Sequence, residues 1–124
     1  MAAVQPTPSG FTGKTAQNSN GNASRPIDLA HLARQTMGDR ALEQEILKLF
    51  VRQALSIRDD LLTAKGNARL RLAHTLKGSA LGVGAFTLAE AVEGLELEPD
   101  NRAKLNAVSV KVDEVSNFVA AISR

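Results

Sequence analysis

The stretch LNAVSVKVDEVSNFVAAI, Leu105 to Ile122, decides the fold class. Its apolar residues Leu105, Val108, Val112, Val115, Val119 and Ile122 recur at intervals of three, four, three, four and three. A helix turns once every 3.6 residues, so this spacing draws one apolar stripe along it, whereas a half-buried strand would alternate at every second position. One stripe needs a surface to pack on, and the rest of the chain supplies further helices of the same kind.

Upstream, DRALEQEILKLFVRQALSIRDDLLTAKG, Asp39 to Gly66, carries Leu42, Ile46, Leu49, Phe50, Ile57 and Leu61 at mostly helical spacing. Asp39 suits its N-cap and Gly66 its end. Before it, RPIDLAHLARQTMGD opens with Pro26 and Asp28, which suit a helix start, and runs into Gly38, which suits a stop. A third helix is expected from near Asn67 until Gly82 and Gly84 break the chain. AFTLAEAVEGLELE then makes a fourth, with Phe86, Leu88, Val92 and Leu95 inward, and Pro99 suits the first turn of the fifth. The connections are short, which favours antiparallel neighbours. The expected fold is all-α: an antiparallel up-and-down four-helix bundle with a short extra N-terminal helix.

Composition agrees. The chain has 124 residues, room for one domain, and 44% hydrophobic residues, with four Phe and neither Trp nor Tyr, so the core must be aliphatic. Cysteine is absent, which excludes disulfides, thiolate metal sites and a cysteine nucleophile. The net charge of +2 is spread along the chain and points to no nucleic acid. No run approaches the ~20 apolar residues that cross a bilayer, and MAAVQPTPSGF lacks the features of a signal peptide, so no membrane association and a cytoplasmic location are expected.

Residues 1–24 are rich in Gly, Asn, Ser, Thr and Pro without apolar periodicity and read as a disordered tail; residues 25–124 read as the helical domain. In the tail, GFTGKT ends like a phosphate-binding loop, but Pro8 stands where the loop requires glycine; the glycosylation pattern at Asn22 is a chance match as well. The starting Met1 and this tail favour a free-standing protein.

Chemistry concentrates in AHTLKGSALGVGA, Ala73 to Ala85. On the third helix Leu72, Ala73, Leu76, Ala80 and Val83 cluster on one side, which must be the core. His74 lies about 200° from Leu72 and Leu76 and therefore faces solvent. Arg71 and Lys77, three residues either side, can both reach an anion held on the imidazole. Gly78, one turn beyond, leaves space for another protein's backbone, and Leu70 and Leu81 supply apolar surface for docking. A neutral imidazole is a nucleophile at physiological pH, and neighbouring cations favour a phosphoryl group on it. Taken singly, each residue also fits a bland role as solvated surface; together they do not. His31 has no such set of neighbours and reads as a surface or packing histidine.

With these residues in view, the sequence resembles the histidine-containing phosphotransfer (HPt) domains of two-component phosphorelays. HTLKGSA supplies His74, Lys77, Gly78, Ser79 and Ala80, and GVGAFTLAEAVEGLE supplies Gly84, Leu88, Leu95 and Glu96. The resemblance implies a monomeric helical carrier without ATP-dependent kinase activity, taking a phosphoryl group from a receiver-domain aspartate and passing it to another. By that likeness His74 is the phosphoacceptor at Nε2, Lys77 and Arg71 stabilise the phosphoryl group, Gly78 admits the partner, and Glu96 is a polar neighbour of the histidine. The partners implied are response-regulator receiver domains and a hybrid histidine kinase. The chain itself binds no cofactor or metal; Mg²⁺ belongs to the receiver's acidic pocket. In this comparison Gly82 and Gly84 predict a looser end to the third helix than the family shows. Two other classes compete: an interaction module that binds receivers or kinases without carrying phosphate, which would need neither His74 nor Lys77, and a basic helical nucleic-acid binder, for which no helix-turn-helix pattern exists.

Overall fold

The computed structural model describes residues 25–123; the expected tail, with its loop-like and glycosylation patterns, lies outside the described residues. Within them the chain is all-helical: α1 Leu29–Thr36, α2 Arg40–Thr63, α3 Gly66–Val83, α4 Phe86–Leu97 and α5 Arg102–Ile122, with no strand among the described residues. None of these helices is long and apolar enough to cross a membrane.

Polar side chains define three of the starts. Asp28 accepts the His31 N–H at 3.1 Å, Asp39 accepts the Leu42 N–H at 3.0 Å, and Asn101 accepts from Ala103 and Lys104. The Asn101 cap corrects one expectation. Pro99 precedes the fifth helix rather than entering its first turn, and its carbonyl instead accepts from Arg69 at 2.7 Å. Arg69 also donates to the Ala64 carbonyl, so one half-buried guanidinium ties the α2–α3 connection to the α4–α5 connection.

The helices close a ring in which α2 packs on α3, α3 on α4, α4 on α5 and α5 on α2, while α1 lies against α2 and α3. Its interior is aliphatic apart from Phe50. Leu47, Leu61, Leu76, Leu88, Leu95 and Val108 are all fully buried. Each such side chain contributes about 2 kcal/mol by leaving water. The stripe from Leu105 to Val119 is buried as its spacing requires; Ile122, in the last turn, is exposed.

In α2 the inward face is Leu47, Phe50, Ala54, Ile57 and Leu61, again at intervals of three and four. Leu42 and Leu49, which share the helical spacing of the sequence pattern, are exposed. Small Ala54 continues the stripe, which turns the two leucines outward. Phe86 is half-buried, its ring edge-on to His31 with centroids 5.2 Å apart.

The glycines also depart from expectation. Gly66 does not end α2, which stops at Thr63, but begins α3. Gly82 lies inside α3, and only Gly84, at φ +88°, ends it. The end is well held: the Gly84 N–H reaches back to Ala80 and Leu81, Ala85 N–H donates to Ala80 at 2.8 Å, and Asp28 N–H donates to the Gly84 carbonyl at 2.9 Å. His31 Nε2, 3.2 Å from the Gly82 carbonyl, completes the joint between α1 and the α3–α4 corner, so His31 is a packing residue.

α1 ends through Met37 in the left-handed region, φ +53°, with its side chain 94% exposed. A left-handed residue with a Cβ costs about 1 kcal/mol more than glycine there. Met37→Gly is therefore expected to raise stability by about 1 kcal/mol, read as a higher urea midpoint at unchanged slope.

Candidate functional site

The site forms where α3 and α4 run side by side. Ala73, Leu76, Ala80 and Val83 bury one face of α3, which fixes its rotation and turns His74 outward. The His74 side chain is 77% exposed, while Glu96, in the last turns of α4, is only 19% exposed. The same packing brings these two residues together although 22 positions separate them.

The Glu96 carboxylate serves two donors. Its Oε2 accepts from His74 Nδ1 at 3.3 Å, and its Oε1 accepts from Lys77 Nζ at 2.7 Å. An ionised carboxylate only accepts hydrogen bonds, so this contact holds the ring proton on Nδ1 and leaves the Nε2 lone pair free. The hydrogen bond to Glu96 raises the Lys77 amine above the usual lysine value; desolvation opposes this, and the smaller effects of the Glu96 and Glu93 charges add to the rise. Lys77 therefore stays charged throughout the neutral range.

Two shallow grooves flank this trio. One, of about 630 Å³, is lined by Asn67, Leu70, Arg71, His74, Thr75 and Glu96. The other, of about 340 Å³, is lined by Lys77, Leu81, Phe86, Ala89, Glu90 and Glu93. The two residues expected to form one apolar docking surface are thus divided: half-buried Leu70 lines the histidine's groove, and exposed Leu81 lines the lysine's. Arg71 is exposed and makes no ion pair among the described residues. Gly78 is open, with no heavy atom within 4 Å of where a Cβ would stand.

Glu93 and Thr75 were not singled out from the sequence. Glu93 stands one turn before Glu96 on α4, a spacing that would have marked it once Glu96 was placed beside α3. No group of three or more His, Asp or Glu side chains among the described residues is arranged to hold a metal ion.

What the arrangement can do follows from these contacts. An exposed imidazole, its proton held at Nδ1, offers a free nucleophilic nitrogen beside two cations and an open stretch of helix backbone. No family model, curated protein or solved structure matches the chain.

Proposed function

We propose that the protein is a histidine phosphotransfer carrier that accepts a phosphoryl group on His74 Nε2 from a receiver-domain aspartate and returns it to another. The observation that carries this reading is the hydrogen bond from His74 Nδ1 to Glu96, on a histidine whose ring is otherwise open to solvent. It supplies what a phosphoacceptor needs, a free Nε2 on a ring whose proton is already parked at the other nitrogen.

The step balances without moving a proton. The Nε2 lone pair forms the N–P bond as the P–O bond to the aspartate carboxyl group breaks, and that electron pair leaves on the carboxylate oxygen. The ring becomes positive and keeps its proton on Nδ1 against Glu96. In the reverse direction the N–P electron pair returns to Nε2 and the same proton stays in place. Lys77 and Arg71 supply positive charge near the transferring group.

In this reading residues 25–124 form the working domain, and the ring of α2 to α5, joined by short connections, is an antiparallel up-and-down bundle with α1 laid across one end. The carrier works as a cytoplasmic monomer between a hybrid histidine kinase and response-regulator receivers, and the receiver brings the Mg²⁺.

Incubation with a panel of phosphorylated receiver domains and Mg²⁺ tests the proposal. Acid-labile, alkali-stable label on the protein is the expected result. Receivers that bind without transferring label would favour the interaction-module reading.

Gly78 gives a separate test. A methyl group there meets nothing, so Gly78→Ala is expected to stabilise α3 by up to about 1 kcal/mol through helix propensity. The same methyl group narrows the space left for a partner's backbone, so transfer from receivers is expected to slow severalfold while the melting temperature rises.

A further inference from the structure

Lys77 and Arg71 lie symmetrically about His74 in sequence, but the structure treats them differently. Lys77 is engaged: its amine is 2.7 Å from Glu96 Oε1, and it lines the groove on the far side of the trio with Leu81 and Glu93. Arg71 lines the groove that His74 itself opens into and has no carboxylate partner among the described residues. The cation nearest the histidine's carboxylate is occupied. The other is free.

We propose that Lys77 acts on the histidine through Glu96, as a positioning residue, and that Arg71 is the cation that meets the phosphoryl group on Nε2. This assignment rests on the phosphotransfer reading and divides a role that the family resemblance implies jointly for both residues.

The physical reason is the fate of Glu96. A carboxylate beside the imidazole is needed to hold the Nδ1 proton, yet its negative charge opposes the arrival of a phosphoryl dianion on the same ring. Lys77 resolves the conflict by neutralising Oε1 while Oε2 remains on Nδ1. If Lys77 swung to the phosphoryl group, it would leave Glu96 Oε1 without its cation just as the phosphoryl oxygens brought negative charge beside the ring. Arg71 faces no such competition, and its planar fork can donate two parallel hydrogen bonds to phosphoryl oxygens.

The test uses potassium phosphoramidate, a small donor that phosphorylates histidine without a protein partner. In that reaction Nε2 displaces ammonia from phosphorus, and the Nδ1 proton again stays in place. Arg71→Gln is expected to slow labelling of His74 about tenfold, the loss of one charge-assisted contact. Lys77→Met is expected to slow it by a similar factor, about tenfold, in the wild-type background, and less than about twofold when Glu96→Gln is also present, because removing the carboxylate's charge removes the need for its partner. Nitrogen NMR supplies a second readout: neutral His74 is expected to carry its proton on Nδ1 in the wild type and to lose that preference in Glu96→Ala. Unchanged helical circular dichroism and melting in each variant verify the fold.

A Lys77→Met defect of equal size in both backgrounds would overturn the assignment, as would a silent Arg71→Gln or a neutral ring protonated at Nε2. The carrier reading is tested apart from this. A protein that phosphoramidate labels in the expected pattern, but that no receiver charges, keeps the charge assignment and loses the carrier role.

Discussion

His74→Gln is expected to abolish receiver-dependent labelling, a fall of more than about 10³-fold, while leaving the fold intact. The side chain is 77% exposed, so an amide in its place changes no core packing, and stability is expected to stay within about 0.5 kcal/mol of the wild type. The other histidine provides the internal control. His31 is half-buried, with Nε2 3.2 Å from the Gly82 carbonyl and its ring against Phe86. Labelling is therefore expected to survive His31→Gln, with a modest loss of stability from the broken joint between α1 and α3. Label retained in His74→Gln and lost in His31→Gln would reverse the assignment of the site.

The second large effect concerns the end of α3. Gly84→Val is expected to cost about 3 kcal/mol or more, because two penalties act together. The residue sits at φ +88°, where a β-branched side chain is strained, and a Cβ there would stand 3.0 Å from the Asp28 carbonyl oxygen and 3.2 Å from His31 Cδ2. Neither neighbour can yield freely, since Asp28 caps α1 and also donates its own N–H to Gly84. Gly82→Ala is the matched comparison two residues away. That glycine is helical, with open space where its Cβ would go, so it is expected to be neutral or stabilising by up to about 1 kcal/mol. Denaturant titrations of the two variants check the contrast. Equal destabilisation would contradict both the left-handed end of α3 at Gly84 and the docking of α1 on this corner.

That contrast also shows what could be read from the chain beforehand. The stripe from Leu105 to Val119 gave the helical class because its periodicity belongs to a single segment. The caps at Asp28 and Asp39 were legible for the same reason, each being a local side chain reaching its own helix. Gly82 and Gly84, by contrast, are the same residue type two positions apart, and what distinguishes them is the left-handed backbone at Gly84 together with the approach of α1 to it. The spacing of large apolar residues in α2 includes exposed Leu42 and Leu49, whereas the buried face runs through Leu47 and small Ala54, which that spacing does not single out. Pro99 was drawn into the fifth helix by its preference for first turns, but the Asn101 side chain sets the start three residues later.

The site divides along the same line. The outward direction of His74 follows from arithmetic along one helix, as do the positions of Arg71, Lys77 and Gly78 around it. The bridge made by Glu96 does not. It depends on how α4 crosses α3, so sequence supplied Glu96 only through a family resemblance and could not say that one carboxylate would hold both the histidine and the lysine. Nor could spacing separate Arg71 from Lys77, which are equidistant from His74 along the helix; the carboxylate on the neighbouring helix breaks that symmetry.

The central claim is that His74 Nε2 carries a phosphoryl group received from a receiver aspartate. Phosphorus-31 NMR of the protein, nitrogen-15-labelled at histidine and mixed with phosphorylated receiver domains and Mg²⁺, tests it most directly. The account predicts a phosphohistidine resonance coupled to Nε2 of His74, absent from His74→Gln. A spectrum in which receivers lose their phosphate to water alone, or in which the phosphoryl group resides on Nδ1 or on His31, would contradict it.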